Sequence, residues 1–205
     1  GKVIVPPAAG DSTLSIGACY HSMHLKNVEN KSKSKIKLLP IENMYLGYKN
    51  NPKNVEDYII KNKFNKKFKI IKNYKPERVA KMISQGKIIG RCCGGMEFGL
   101  RALGNRSILA DPRKFETVAK INQKIKKRDF WMPFTPSMLF EDRNKFYKNH
   151  KNLNAKFMSM AFESTEFGRK NLKAAIHPAD FTIRPQTVKR KDNESYYDLI
   201  KSFKK

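Results

Sequence analysis

The chain has 205 residues, with 43 Lys and Arg against 18 Asp and Glu, a formal net charge of +25 and 40% hydrophobic residues. That length suits one domain, or one domain with part of another, and the charge favours anionic partners such as nucleotides or nucleic acid. No apolar run approaches the roughly 18 residues of a membrane span, and no signal peptide opens the chain. Three cysteines, Cys19, Cys92 and Cys93, offer no disulfide framework, so a reducing, cytoplasmic setting is expected.

Val3–Val5 reads as a strand, Pro6–Ser12 as a glycine loop and Thr13–His24 as a helix capped by Ser12. The chain opens on that strand without a Met and reads as a piece of a longer protein. His21 and His24 read as surface residues, and Asp11 by itself reads as an N-cap or turn residue. Residues 26–75, rich in Lys and Asn, read as a connecting region that presents a solvated lysine face, with a short strand at Phe68–Ile71. Pro76 opens a helix whose apolar face is Val79, Met82 and Ile83, and Gly86 ends it. A buried strand at Lys87–Cys93 and a strand at Ser107–Ala110 flank a glycine-rich loop. An amphipathic helix follows over 114–127, with Phe115, Val118, Ile121 and Ile125 at helical spacing. Strands are expected at Pro136–Phe140, Phe157–Phe162 and Thr182–Val188, and helices near Asp142–Lys148 and at Glu194–Phe203. Strands alternating with helices indicate an α/β or α+β domain.

The most informative stretch is 96–113, MEFGLRALGNRSILADPR. It sets Arg101, Arg106 and Arg113 around Gly99 and Gly104, with Asn105 and Ser107 between. Three fixed cations on a flexible backbone suit a polyphosphate, because glycine admits backbone N–H groups close to an anion and Arg supplies planar donors. The plain alternative is a solvated Arg-rich loop turning at Gly104–Asn105. Lys126 and Arg128, ending the amphipathic helix, either reach the same cleft or complement the helix dipole. Phe130 and Trp131 wall that cleft or belong to the core. Strand alternation puts Arg184 and Gln186 on one face of Thr182–Val188.

Four stretches resemble one family in its own order: PPAAGDS at 6–12 with Gly17-Ala18, the 96–113 loop, IKKRDFWMPFTPS ending at Ser137, and HPADFTIRPQ at 177–186. They are similar to PPxxGDSGxxxGAA, MEFGPRALGNRSILADPR, IKxRDFWMPFAPS and HPxDGTxRPQ of the O-carbamoyltransferases of nodulation and antibiotic tailoring. That family includes enzymes acting on tobramycin, cephalosporin precursors and Nod factors. The resemblance implies that residues 1–50 form the C-terminal tail of an actin-like (sugar-kinase-type) transfer domain, followed by a connecting region at 51–75. It implies a YrdC-like mixed twisted sheet with flanking helices over 76–205, truncated at its C-terminus. It implies carbamoyl phosphate, ATP and Mg²⁺ as reactants of a carbamoyl adenylation, and a hydroxylated small molecule as acceptor. Arg106, Lys126 and Arg128 would be catalytic. Arg101, Asn105, Ser107, Arg113, Ser137, His177 and Arg184 would bind the nucleotide. Asp11 would help hold Fe²⁺ or another divalent metal in the transfer domain. A YrdC-like module that binds nucleotide or RNA without catalysis is the second reading. The chain departs from the family pattern at Arg91 (an aromatic), Gly95 (Arg), Leu100 (Pro) and Phe181 (Gly).

Overall fold

The computed structural model describes residues 5–29, 35–129 and 131–204. The expected strand at Val3–Val5, apart from Val5, and the aromatic wall residue Phe130 lie outside them. Helix α1 spans Ser12–Glu29, longer at both ends than its apolar pattern suggested, and buries none of its residues. The connecting region is more ordered than its composition predicts. Asn51 accepts a hydrogen bond from Lys53 N–H, and Pro52 occupies the first turn, where its missing N–H costs nothing. Those two residues start α2 (Pro52–Lys61), and a single turn, α3 (Phe64–Lys67), follows. Phe68–Ile71 is not a strand: its four residues pair with nothing in a sheet and run as an exposed loop. Its alternating lysines and apolar residues have no neighbouring strand to hydrogen-bond.

Helix α4 (Pro76–Ser84) starts on its proline and buries Ala80 and Ile83; Gly86, at φ +84, turns the chain out of it. The next two strands, β1 (Ile89–Cys92) and β2 (Arg106–Leu109), pair antiparallel, Arg91 facing Ser107 across the ladder. β1 is not buried throughout: Gly90 and Cys92 are exposed and Arg91 is the residue turned inward. The expected helix over 114–127 is shorter. α5 runs Glu116–Ile121, a wider helical turn follows over Asn122–Lys126, and Lys127 at φ +46 stops it. Val118 and Ile121 are buried, but Phe115 and Ile125 are 61% and 48% exposed, so the apolar stripe is narrower than its spacing implied.

The C-terminal half holds β3 (Ser137–Leu139), α6 (Arg143–Phe146), β4 (Phe162–Glu163), α7 (Glu166–Asn171), β5 (Thr182–Ile183), β6 (Gln186–Val188) and α8 (Glu194–Lys204). β3 pairs in parallel with β6, and β4 antiparallel with β5. The strand expected over Thr182–Val188 is thus two strands. Pro185 has no N–H to give a ladder, and the chain changes partner at Arg184–Pro185. Phe157 and Met158, expected in a strand, are buried in loop conformation, Met158 at φ +55. The fold is α+β with both parallel and antiparallel pairing. Among the described residues the strands form three two-stranded sheets rather than one continuous sheet.

Three apolar clusters hold these pieces. Met138, Tyr147, Phe162, Leu172 and Ile183 join β3, β4 and β5. Ala80, Val188, Tyr196 and Leu199 join α4, β6 and α8. Met44, Leu103, Phe157 and Met158 form the third, with Ile41, Tyr45 and Phe98 against it. Residues 41–49 therefore pack on the glycine-rich loop: Phe98 N–H donates to Met44 O, Gly47 N–H to Met96 O and Met96 N–H to Tyr48 O. Among the described residues no helix is long and apolar enough to cross a membrane.

Gly104 sits at φ +109, and a Cβ there would stand 2.3 Å from the Tyr196 ring. Gly104→Ala should destabilise by on the order of 3 kcal/mol, combining backbone strain with overpacking. Gly90 has nothing within 4 Å of the same added atom. Gly90→Ala should be neutral, or stabilise by up to about 1 kcal/mol, since glycine in a strand is entropically costly. Urea unfolding midpoints of both variants against the parent check the pair.

Candidate anion-binding site

The loop from Glu97 to Arg106 is built around a carboxylate. Glu97 is 8% exposed, and its Oε1 accepts the N–H groups of Leu103 (2.8 Å), Asn105 (2.7 Å) and Arg106 (3.1 Å). These N–H groups, expected to cradle a ligand phosphate, are instead satisfied internally. Gly104 N–H donates to Ser107 Oγ, and Leu103 O accepts from Tyr45 OH and from Gln186 Nε2. The sequence reading passed over Glu97. Its one signal was a lone acid beside a segment of backbone donors that needed acceptors.

Arg106 is likewise committed. Its guanidinium donates to the carbonyls of Cys93 (2.8 Å), Asn105 (3.0 Å), Gly94 (3.3 Å) and Tyr48 (3.4 Å). Asn105 is buried; its Nδ2 donates to Gly95 O and its Oδ1 accepts from Asn193. Arg113 forms a two-pronged pair with Asp111, itself 1% exposed, and lies over the Phe203 ring. Burial alone would raise the Asp111 carboxyl. Its hydrogen bonds and charge contact with Arg113 more than reverse this and hold it below the usual carboxylate range.

Other cations stay uncommitted. A cleft of ≈ 590 Å³ opens beside β2, and its polar lining includes Arg101, Arg106, Ser107, Lys126, Arg128 and Ser137. Apolar side chains, among them Ile121, Leu199, Ile200 and Phe203, line it too. Arg128 stacks on Phe134 at 5.3 Å. Arg184 stands at the corner where the chain leaves β5 for β6. Burial lowers its pKa first, and the charges of Arg101 and Arg128 lower it further. Arg101 and Arg128 line the cleft, and Arg184, which does not, is near enough to both to feel their charge. No carboxylate among the described residues forms an ion pair with any of them. Ser137 Oγ donates to Gln186 Oε1 at 2.9 Å, fixing β3 to β6 beneath them. Tyr196 on the cleft wall is fully buried, and desolvation pushes its phenol up to about 12.

The remaining sequence candidates stand apart. His177 turns back on its own loop, Nδ1 3.2 Å from Asp180 Oδ1, and does not line the cleft. Asp11 is exposed in the turn before α1. Among the described residues no three His, Cys, Asp or Glu side chains gather to hold a metal. Gly95 has no room for the family's arginine without movement, because a Cβ there would lie 2.9 Å from Tyr45 O. Phe181 adopts φ +57, a conformation the family's glycine takes freely, and Arg169 lies over its ring.

The family model described as carbamoyltransferase C-terminus matches residues 80–205, from within α4 to the end of the chain. The chain belongs to that family. It is 41% identical to an uncharacterized protein of Methanocaldococcus jannaschii, over 99% of this chain and 32% of that protein. It is 44% identical to nodulation protein NolO of Bradyrhizobium diazoefficiens, over 62% of this chain and 23% of that protein. It is 31% identical to the 3'-hydroxymethylcephem-O-carbamoyltransferase of Amycolatopsis lactamdurans, over 59% of this chain and 22% of that enzyme. The chain spans about a third of the length of the curated relatives it matches over nearly all its own residues. Within this carbamoyltransferase C-terminus, the matched span carries both the carboxylate-centred loop and the arginine cluster.

Two variants test how this carbamoyltransferase C-terminus is built. Glu97→Ala leaves three backbone donors without their acceptor and should destabilise by at least about 3 kcal/mol, since each buried orphan costs on the order of 1–3 kcal/mol. Glu97→Gln keeps an oxygen acceptor and should lose much less; chemical denaturation of the two separates them. Acid provides the second test. Asp111 has a folded pKa below its unfolded value, so its contribution is present above about pH 4 and is lost as pH falls through the folded pKa. Arg113→Met should remove most of that acid-side loss and lower stability at neutral pH, as melting curves across pH will show.

Proposed function

We propose that this chain forms the nucleotide-binding part of an ATP-dependent O-carbamoyltransferase. The observation that carries the reading is that Arg101, Lys126 and Arg128 line one cleft, with Arg184 near enough to feel the charges of Arg101 and Arg128, while among the described residues no carboxylate forms an ion pair with any of them. Like charges held together in a half-buried place raise the free energy of the protein, and a polyanion relieves it. A cleft lined by both cations and apolar side chains fits a molecule with a phosphate chain and a flat apolar body. Lys126 adds a mobile point charge to that lining, and Ser137 offers a hydroxyl.

In the reaction proposed, water hydrolyses carbamoyl phosphate to carbamate and inorganic phosphate, and a carbamate oxygen attacks the α-phosphorus of ATP. The bond to the β-phosphate oxygen breaks, pyrophosphate leaves, and carbamoyl adenylate forms. The acceptor hydroxyl then takes the carbamoyl group and AMP departs. Arg101, Arg128 and Arg184 hold the triphosphate and stabilise the charge that builds on pyrophosphate. Arg106 acts at one remove, bracing the loop that carries Arg101. Asp111 is committed to Arg113, so Mg²⁺ would come to the cleft on the triphosphate rather than on that carboxylate. The cation set fits ATP. The described residues do not fit an Fe²⁺ site around Asp11, and no step is assigned to one. The carbamoyl-accepting molecule and the transfer step belong to the whole protein.

RNA binding is the competing reading, favoured by the exposed rings of Tyr48, Tyr58 and Phe68 among lysines. Calorimetric titration with Mg·ATP decides between the two. Arg184→Ala and Arg128→Ala should each weaken ATP binding by roughly 10-fold or more, the value of a lost charge-assisted contact, while Lys66→Ala changes nothing. Unchanged ATP affinity in a folded Arg184→Ala protein, together with RNA binding that falls steeply with salt, would replace the nucleotide reading.

A further inference from the structure

A second cavity, ≈ 440 Å³, lies between α4 and α8 over β1 and shares Arg91, Leu109 and Leu199 with the cleft. Its walls are apolar, from Val79, Met82 and Leu109, and its polar groups meet at Arg91. Arg91 is 9% exposed. Its Nε donates to Gly104 O at 2.6 Å and its Nη2 to Ser195 Oγ at 3.0 Å, and the guanidinium lies 5.5 Å from the centre of the Tyr196 ring. Tyr74 stands beside Arg91 and Cys93, and burial is the largest of the effects that raise its phenol, so it stays neutral.

Every one of these partners is uncharged. A nine-tenths-buried cation without a carboxylate is costly, and elsewhere this fold provides a partner where a charge is buried, as Asp111 receives Arg113. One cation fits one negative charge, which favours a carboxylate over a phosphate dianion. The apolar walls call for an apolar body.

We propose that this cavity is a binding site for a small monocarboxylate with an apolar body, held by the Arg91 guanidinium and the Tyr74 and Ser195 hydroxyls. Benzoate and hexanoate are the probes, with benzamide and hexanamide as their neutral counterparts and inorganic phosphate as a dianion, all at constant ionic strength. Binding is read from backbone amide NMR shifts. The carboxylates should shift Ile89–Cys93 and Ser195 saturably, and both amides and phosphate should bind at least about tenfold more weakly. Arg91→Met should abolish the preference for carboxylate over amide. Because Arg91 also holds the Gly104 carbonyl, that variant risks misfolding. Tyr74→Phe, which removes one hydroxyl, and Val79→Trp, which fills the cavity, should each weaken benzoate several-fold in a folded protein. The proposal fails if the parent shows no saturable carboxylate binding, or if benzamide binds as well as benzoate. It also fails if Tyr74→Phe and Val79→Trp leave the affinity unchanged, or if the shifts centre on Arg101, Arg128 and Arg184.

Discussion

The carboxylate of Glu97 is the interaction on which the rest depends. A loop with glycines at φ +98 and +109 has little regular structure of its own, so its backbone donors need an acceptor from elsewhere. One buried oxygen takes three of them and gathers Leu103, Asn105 and Arg106 to a point. From that point the other attachments follow. Leu103 enters an apolar cluster, its carbonyl takes Tyr45 and Gln186, and Gly104 lies against Tyr196. The loop becomes a rigid bracket, and Leu100, 86% exposed, and Arg101 stand at its free rim.

The arginines of this protein divide by what they face. Arg106 faces carbonyls, Arg113 a carboxylate, Arg91 neutral groups, and Arg184 lies within reach of the charges of Arg101 and Arg128. The first two tie the chain together and leave little capacity for a ligand. The last three have their charge in hand. They arrive from a loop, from the end of a helical turn and from a strand junction, so no one segment reveals the cluster. The carboxylate-centred loop and the cations with no ion-pair partner thus lie in one part of the structure but do different things.

Much of the fold could be read from the residues. Pro76 and the apolar spacing after it announced α4. The pattern of Glu194–Phe203 announced α8, and the β-rich runs around Ile108 and Met138 announced β2 and β3. Where pattern misled, a long-range partner was the reason. Phe157 and Met158 satisfy a core from a loop, Pro185 divides what alternation presented as one strand, and α5 stops where Ile125 finds no apolar surface to cover. The motif resemblance singled out this loop, but residue type alone could not sort its arginines. Arg106 and Arg113 look as available as Arg101 in the sequence, and only the carbonyls and the carboxylate around them show otherwise.

The junction at Arg184–Pro185 has a mechanical meaning. The residues before it are bonded into one strand pair and the residues after it into another, so this short piece of backbone is the splice between two small sheets that share no ladder. Arg184 is mounted on the splice itself. Any force on its guanidinium is delivered to both sheets at once, through β5 to β4 on one side and through β6 to β3 on the other. A ligand held at that guanidinium would also clamp the joint, so that the two halves of the C-terminal region would move as one body.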